Sequence, residues 1–320
     1  MQLGGGTKSY NLVAALFLGT VLFDVVIFVI AYLVEGMRQA KDRLATSLIT
    51  TAFIVALLPL VSLIQTVLEK GFGRMILPSF FTESMRNVLG PGGGAVHAIY
   101  GTLEITALAT VFSVPIGLLT SIYLVEYGRG VLARVITFMV DVMTGIPSIV
   151  AGLFAYAFFV LLTGNTGYRS GLGGAVALSI LMIPVVVRSS EEMLKLVPNE
   201  LREASYALGV PKWLTIVKIV LPTSVAGITT GVMLSVARVI GETAPLLIIT
   251  GVTASLNTDL LNDRMATLPV FVYFQYAAQG AIASDYLNRA WAAALTLILI
   301  VMALNLIARL VARIFSPKLR

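Results

Sequence analysis

Residues 198–211 read Pro198-Asn199-Glu200-Leu201-Arg202-Glu203-Ala204-Ser205-Tyr206-Ala207-Leu208-Gly209-Val210-Pro211. They sit in a hydrophilic island, 189–222, between two strongly apolar stretches. Pro198 and Asn199 are good helix-start residues, Glu200 and Glu203 suit the first turns, and Gly209 suits a left-handed cap. Val210-Pro211 stops any continuation. Leu201, Ala204, Ala207 and Leu208 recur at spacings of three and four, which predicts a short amphipathic helix with a sharp end. Lys212–Leu221 predicts a second such stretch, closed by Pro222 before the next apolar run.

The chain around this island is a membrane protein by composition. Only 12% of its 320 residues are charged, against about 25% in soluble domains. Apolar residues make up 58%, and the mean hydropathy is +0.95. Those values exclude an ordinary soluble enzyme and a disordered chain. There is no cysteine, so there is no disulfide, thiolate metal site or cysteine nucleophile. The single histidine, His97, leaves almost no room for a metal site or a catalytic triad, and a role for it is not expected. No Gly-Lys dipeptide occurs, so no P-loop for ATP is present. The net charge of +6 is expected to reflect basic loops at one membrane face and not nucleic-acid binding.

Seven apolar runs are long enough to be read as spans: 12–34, 47–68, 99–124, 135–162, 173–188, 223–250 and 290–311. The first is too long for a signal peptide and has only Lys8 before it. Pro115 and Gly145-Ile146-Pro147 are expected to kink the third and fourth. Lys and Arg favour one face by about two to one, which places the island and the C-terminus in the cytoplasm and the N-terminus outside. Two long segments then lie outside. Residues 69–98 carry Gly90-Pro91-Gly92-Gly93-Gly94, a flexible punctuator; residues 251–289 carry an apolar stretch near Met265–Ala278, too short to span.

Charges inside spans are costly, about 2.5–3.5 kcal/mol at a helix centre on insertion scales. Arg238 and Glu242 fall in the sixth span, four residues apart, and are expected on one face and able to pair. That face continues through Ser224, Gly227, Gly231 and Ser235, small and then polar. It reads as a packing face with a neutralised ion pair or as the wall of a pathway where Arg238 attracts an oxyanion, and the two are compatible if the pair opens as the pathway forms. Arg188, at the end of the fifth span, reads by itself as a snorkelling residue. Asp24 lies mid-span with no evident partner, while Glu104 and Asp141 are nearer span ends and expected to be hydrated or paired.

Glu203-Ala204-Ser205-x-x-x-Gly209, nine residues, then Ile219-x-Leu221-Pro222 resembles the EAA loop of ABC importer permeases, with Ser205 in place of alanine. Ala237-Arg238-Val239-Ile240-Gly241-Glu242-Thr243-Ala244-Pro245-Leu246-Leu247 and Pro184-Val185-Val186-Val187-Arg188-Ser189-Ser190-Glu191-Glu192-Met193-Leu194 are similar to the PstA family of phosphate-importer permease subunits. The resemblance covers about 47–320, so span 12–34 is additional.

The resemblance implies an all-α polytopic fold of the type I ABC importer permease kind. It divides the chain into an additional helix and basic loop (1–46), a first core span and outer loop (47–94) and a permease core (95–320). It implies that Glu203, Ala204, Ser205, Tyr206, Ala207, Leu208 and Gly209 contact an ATPase. It makes Arg238, Glu242, Arg188, Ser235 and Thr243 candidates for a phosphate pathway. The implied partners are a PstC-like sister permease, a PstB-like ATPase dimer carrying ATP and Mg²⁺, and an extracytoplasmic phosphate-binding protein, with this chain itself multi-pass in the cell membrane. This chain itself would hold no cofactor, metal or catalytic residue. A permease for molybdate or sulfate, and a proton-coupled carrier using Glu242 and Asp24, are the alternatives.

Overall fold

The computed structural model describes residues 12–88, 90–280 and 282–315, and these residues contain helices and no strand. In chain order they are α1 (Leu12–Glu35), α2 (Met37–Met75), α3 (Pro78–Thr82), α4 (Val96–Ile122), α5 (Gly130–Thr144), α6 (Ser148–Thr163), α7 (Gly171–Lys195), α8 (Asn199–Ala207), α9 (Lys212–Thr215), α10 (Leu221–Val239), α11 (Ala244–Ile249), α12 (Leu268–Ala277) and α13 (Ala283–Phe315). Among them are six helical runs long and apolar enough to cross a bilayer, or seven if α5 and α6 count as one bent span.

The chain divides into two compact units between Thr66 and Val67. In the first, Gly36 with φ +92° separates α1 from α2. Asp24 is nearly buried and accepts a hydrogen bond from Ser47 of α2, which supplies the partner that the sequence did not reveal. Arg43 grips Glu35 with two hydrogen bonds of 2.5 and 2.6 Å.

In the second unit α7 is the central helix. Its small residues let neighbours approach closely, as packing between helices in lipid requires. A Cβ at Gly117 of α4 would overlap Val186, and one at Gly174 would overlap Thr250. Ile105, Ala109, Leu178, Met182, Val186 and Val239 form the middle of the core.

Several sequence expectations change here. The run 135–162 is not one helix: α5 and α6 meet at 110° around Gly145-Ile146-Pro147. Pro147 has no N–H to continue α5, and its φ of −59° with ψ 137° starts α6 in a new direction. Pro115 interrupts nothing of this kind and lies within α4. Pro222 does not close the stretch before it. Lys212–Val239 is one helical run, with a π turn at Ile216–Val220 just ahead of the proline. The wider turn absorbs the bond that Pro222 cannot donate. The fifth span is longer than expected, 171–195, so Arg188 lies inside α7 and not at its end.

The Gly90–Gly94 segment is held and not free. Arg289, 1% exposed, donates to the carbonyls of Gly90 and Gly92 at 3.0 and 3.2 Å, and Arg74 donates to that of Gly93 at 2.5 Å. In the loop before α12, the Asn262 side chain and the Leu261 N–H hold the Asp259 carboxyl below the usual carboxylate range. His97 falls in the first turn of α4, buried edge-on against Phe271.

Candidate functional site: an exposed helix and an interrupted span

The island forms the predicted helix. α8 starts after Pro198 and stops at Ala207, and Gly209 follows with φ +76° in the left-handed region. Nothing lies within 4 Å of a Cβ at Gly209, so the position demands glycine for its backbone and not for space. The apolar side of α8 faces outward and does not cover the chain's own loops. Leu201 is 41% exposed, Tyr206 42% and Leu208 83%, with Glu203, Ala204 and Ala207 exposed beside them. Ser205 alone of the EAA residues turns inward, where its Oγ lies 2.8 Å from Thr215 Oγ1.

The sixth span is interrupted. α10 ends at Val239, and residues 240–243 are non-helical before α11 begins. Arg238 therefore sits on the last turn of a helix, while Glu242 lies on the loop beyond it. The expected shared face and the Arg238–Glu242 ion pair are absent: among the described residues neither side chain has an ion-pair or hydrogen-bond partner. Arg238 is exposed and Glu242 half-buried. Thr243 precedes α11, and its carbonyl accepts the Leu247 N–H at 2.9 Å.

The small face of α10 separates from Arg238. Ser224, Gly231 and Ser235 are buried, and a Cβ at Gly227 or Gly231 would overlap Met193 or Ser189 of α7. Ser235 donates to the Val232 carbonyl at 2.6 Å. This face lies close against α7 at Gly227 and Gly231, and Ser235 is buried on it.

Arg188 is not a free cation. It pairs with Asp141 of α5 and, at 3.0 Å, with Glu191, which also receives Lys195 at 2.6 Å. Asp141 is thus paired as expected, whereas Glu104, two turns inside α4, has a buried carboxylate oxygen with no hydrogen-bond partner. Two further charged clusters escaped the sequence reading: Glu126 with Arg202 and Lys212, and Arg74 with Arg289 around the glycine segment. Their members are far apart in sequence and share no periodicity that would mark them.

No group of three or more potential metal ligands occurs among the described residues. The arrangement presents an apolar knob at one end of a membrane bundle and an unpaired guanidinium at a helix break.

Comparison with known proteins places this arrangement. The family model described as "Binding-protein-dependent transport system inner membrane component" matches residues 113–320. "Phosphate transport system permease protein PstA 1" of Mycobacterium tuberculosis (strain ATCC 25618 / H37Rv) is 48% identical over 276 residues, covering 86% of this chain and 88% of that protein. The PstA protein of Yersinia pestis is 40% identical over 278 residues, covering 87% and 92%. Among solved structures, the inward-facing MetNI methionine ABC transporter aligns at 20% identity over 69% of this chain and 96% of its own, with a TM-score of 0.57. A bacterial ABC transporter importing the acidic polysaccharide alginate aligns at 14% identity over 87% and 97%, with a TM-score of 0.58. These two likenesses concern the fold, which is that of a type I ABC importer permease. With its family model matched across 113–320 and its PstA relatives matched over most of their length, the chain belongs to the binding-protein-dependent transport system inner membrane components, in the PstA group of permease proteins.

Proposed function

We propose that this chain is one permease half of an ATP-driven importer of inorganic phosphate in the cell membrane. Its partners are a PstC-like sister permease, two copies of a PstB-like ATPase and an extracytoplasmic phosphate-binding protein. ATP and Mg²⁺ belong to the ATPase, and this chain carries no cofactor. The bias of basic residues puts α8 and the C-terminus in the cytoplasm.

The observation that carries this reading is Arg238. An unpaired charge in an apolar bundle costs about 2.5–3.5 kcal/mol on insertion scales, so it belongs beside a partner or a wet path. Its planar fork suits the oxygens of phosphate, and with no carboxylate on it among the described residues the fork is available. The open backbone at 240–243, with Glu242 and Thr243, borders the same place. Arg188, held by Asp141 and Glu191, is a second candidate toward the exit, reachable by an anion once that pairing opens. The exposed apolar side of α8, residues Glu203–Gly209, docks on the ATPase. The names of the PstA relatives favour phosphate over molybdate or sulfate, and the docking knob favours an ATP-driven system over a proton-coupled carrier.

The test is radiolabelled phosphate uptake in cells lacking other phosphate importers, with co-purification of the ATPase as the assembly control. Arg238→Gln strands no carboxylate, so it assembles, and uptake drops by about tenfold or more. Arg238→Lys keeps the charge without the fork and is intermediate. Full uptake by assembled Arg238→Gln removes Arg238 from the pathway.

A further inference from the structure

Arg202 leaves the exposed side of α8 and turns back into the bundle. Its Nε and Nη2 both donate to Glu126 Oε1, at 3.0 and 2.9 Å. Nη2 also donates to the Leu194 carbonyl at 3.0 Å, and Nη1 donates to the Val197 carbonyl at 2.6 Å and to Asn199 Oδ1 at 3.3 Å. The two side chains are 12% and 5% exposed. Glu126 lies in the π turn Tyr123–Tyr127 that ends α4.

The same turn holds the far side of the Gly209–Pro211 corner. Lys212 of α9 donates to the Glu126 carbonyl, and its ammonium sits 4.7 Å from the centre of the Tyr127 ring. Ser205 and Thr215 close the triangle by joining α8 to α9. By covalent chain alone, α8 is tied to its neighbours only through two proline-bearing joints, Leu196–Pro198 and Val210-Pro211. Through Arg202 and Lys212 it is fixed to α4, and α4 runs along α7 through the core.

We propose that Glu126 and Arg202 are positioning residues for energy coupling: they form the strut through which displacement of α8 by the ATPase moves α4 as well as α10. This rests on the coupling role given to α8 above. A charged pair is not needed to fill the space, because apolar side chains of similar volume hold buried sites equally well. What the two-pronged pair adds is a fixed direction between the docking helix and the pathway helices.

The experiment uses the complete importer in liposomes, with its binding protein, and measures solute imported per ATP hydrolysed. The key variant is Glu126→Met with Arg202→Met, which keeps volume and leaves no stranded charge. Glu126→Gln alone provides a milder version. The strut predicts that the ATPase still co-purifies and still hydrolyses ATP, while import per ATP falls by about tenfold in the double variant and less in Glu126→Gln. An unchanged ratio in the assembled double variant overturns the proposal. Loss of ATPase co-purification overturns it too, since the pair would then shape the dock and not transmit through it. The ratio is scored for whichever anion the wild-type complex imports, so a wild-type complex that imports another anion refutes the phosphate reading and leaves the strut judged on its own result.

Discussion

Arg188 of α7 holds Asp141 of α5 with one guanidinium nitrogen and Glu191, one turn along its own helix, with the other. The two carboxylates are not equivalent. The Asp141 side chain is 56% exposed and the Glu191 side chain 9%. An exposed pair contributes about 0–1 kcal/mol, so Asp141→Asn is expected to cost less than that in thermal unfolding of the detergent-solubilised protein. Arg188→Met leaves Glu191 buried with Lys195 as its remaining partner, and it should cost about 1–3 kcal/mol. Phosphate uptake separates the two as well, falling in Arg188→Met and persisting in Asp141→Asn. Equal destabilisation by both variants would show that burial does not set the difference.

Gly209 tests the proposed docking of α8 through its backbone. At φ +76° a β-branched residue is strained by about 1 kcal/mol or more, whereas asparagine tolerates the left-handed region. Open space surrounds the position, so no clash confuses the result. Gly209→Val should reorient the end of α8 and separate ATP hydrolysis from phosphate uptake, with the spans still inserted. Gly209→Asn should retain most uptake. Normal uptake by Gly209→Val removes the segment from coupling.

Gly231 and Gly241 are ten residues apart and make opposite demands. A side chain at Gly231 overlaps Ser189 on the neighbouring helix, while one at Gly241 meets nothing within 4 Å. Overpacking costs about 1–3 kcal/mol, so Gly231→Val should lower the unfolding temperature and the yield of membrane-inserted protein. Gly241→Ala should change stability by about 0.5 kcal/mol or less. Equal behaviour of the two would contradict the close approach of α10 to α7.

The parts legible in the sequence are those where local chemistry decides. α8 stood out because a polar island, Pro198 and Gly209 all mark one helix. The small face of α10 was legible as a packing face, and Gly227 and Gly231 do lie close against Met193 and Ser189. The interruption after Val239 was hidden by hydropathy, since Val239, Ile240, Leu246 and Leu247 read as one apolar run. Its local signal is Pro245, which denies the Gly241 carbonyl its helical partner, with Gly241 as the flexible point. The Glu126–Arg202 pair had no signal at all, because 76 residues separate the two and only the tertiary fold brings them together.

Topology is the remaining prediction, and the structure alters how to measure it. The natural chain has no cysteine, so single introduced thiols report cleanly. Ser205, although central to the EAA segment, is a poor choice: it is 3% exposed and bonded to Thr215, so a thiol there reacts slowly from either side. Glu203 on α8 and Ala254 in the loop after α11 are both exposed. If the basic bias orients the bundle, Ala254→Cys reacts with an impermeant thiol reagent in intact cells, once any outer membrane is permeable. Glu203→Cys reacts only after the cytoplasmic membrane is breached, the side from which the proposed ATPase would reach α8. Labelling is read as the mass shift of a maleimide adduct, with Ser205→Cys as the buried control under both conditions. Labelling of Glu203→Cys in intact cells, with Ala254→Cys protected, would invert the whole bundle and put α8 out of reach of any cytoplasmic ATPase.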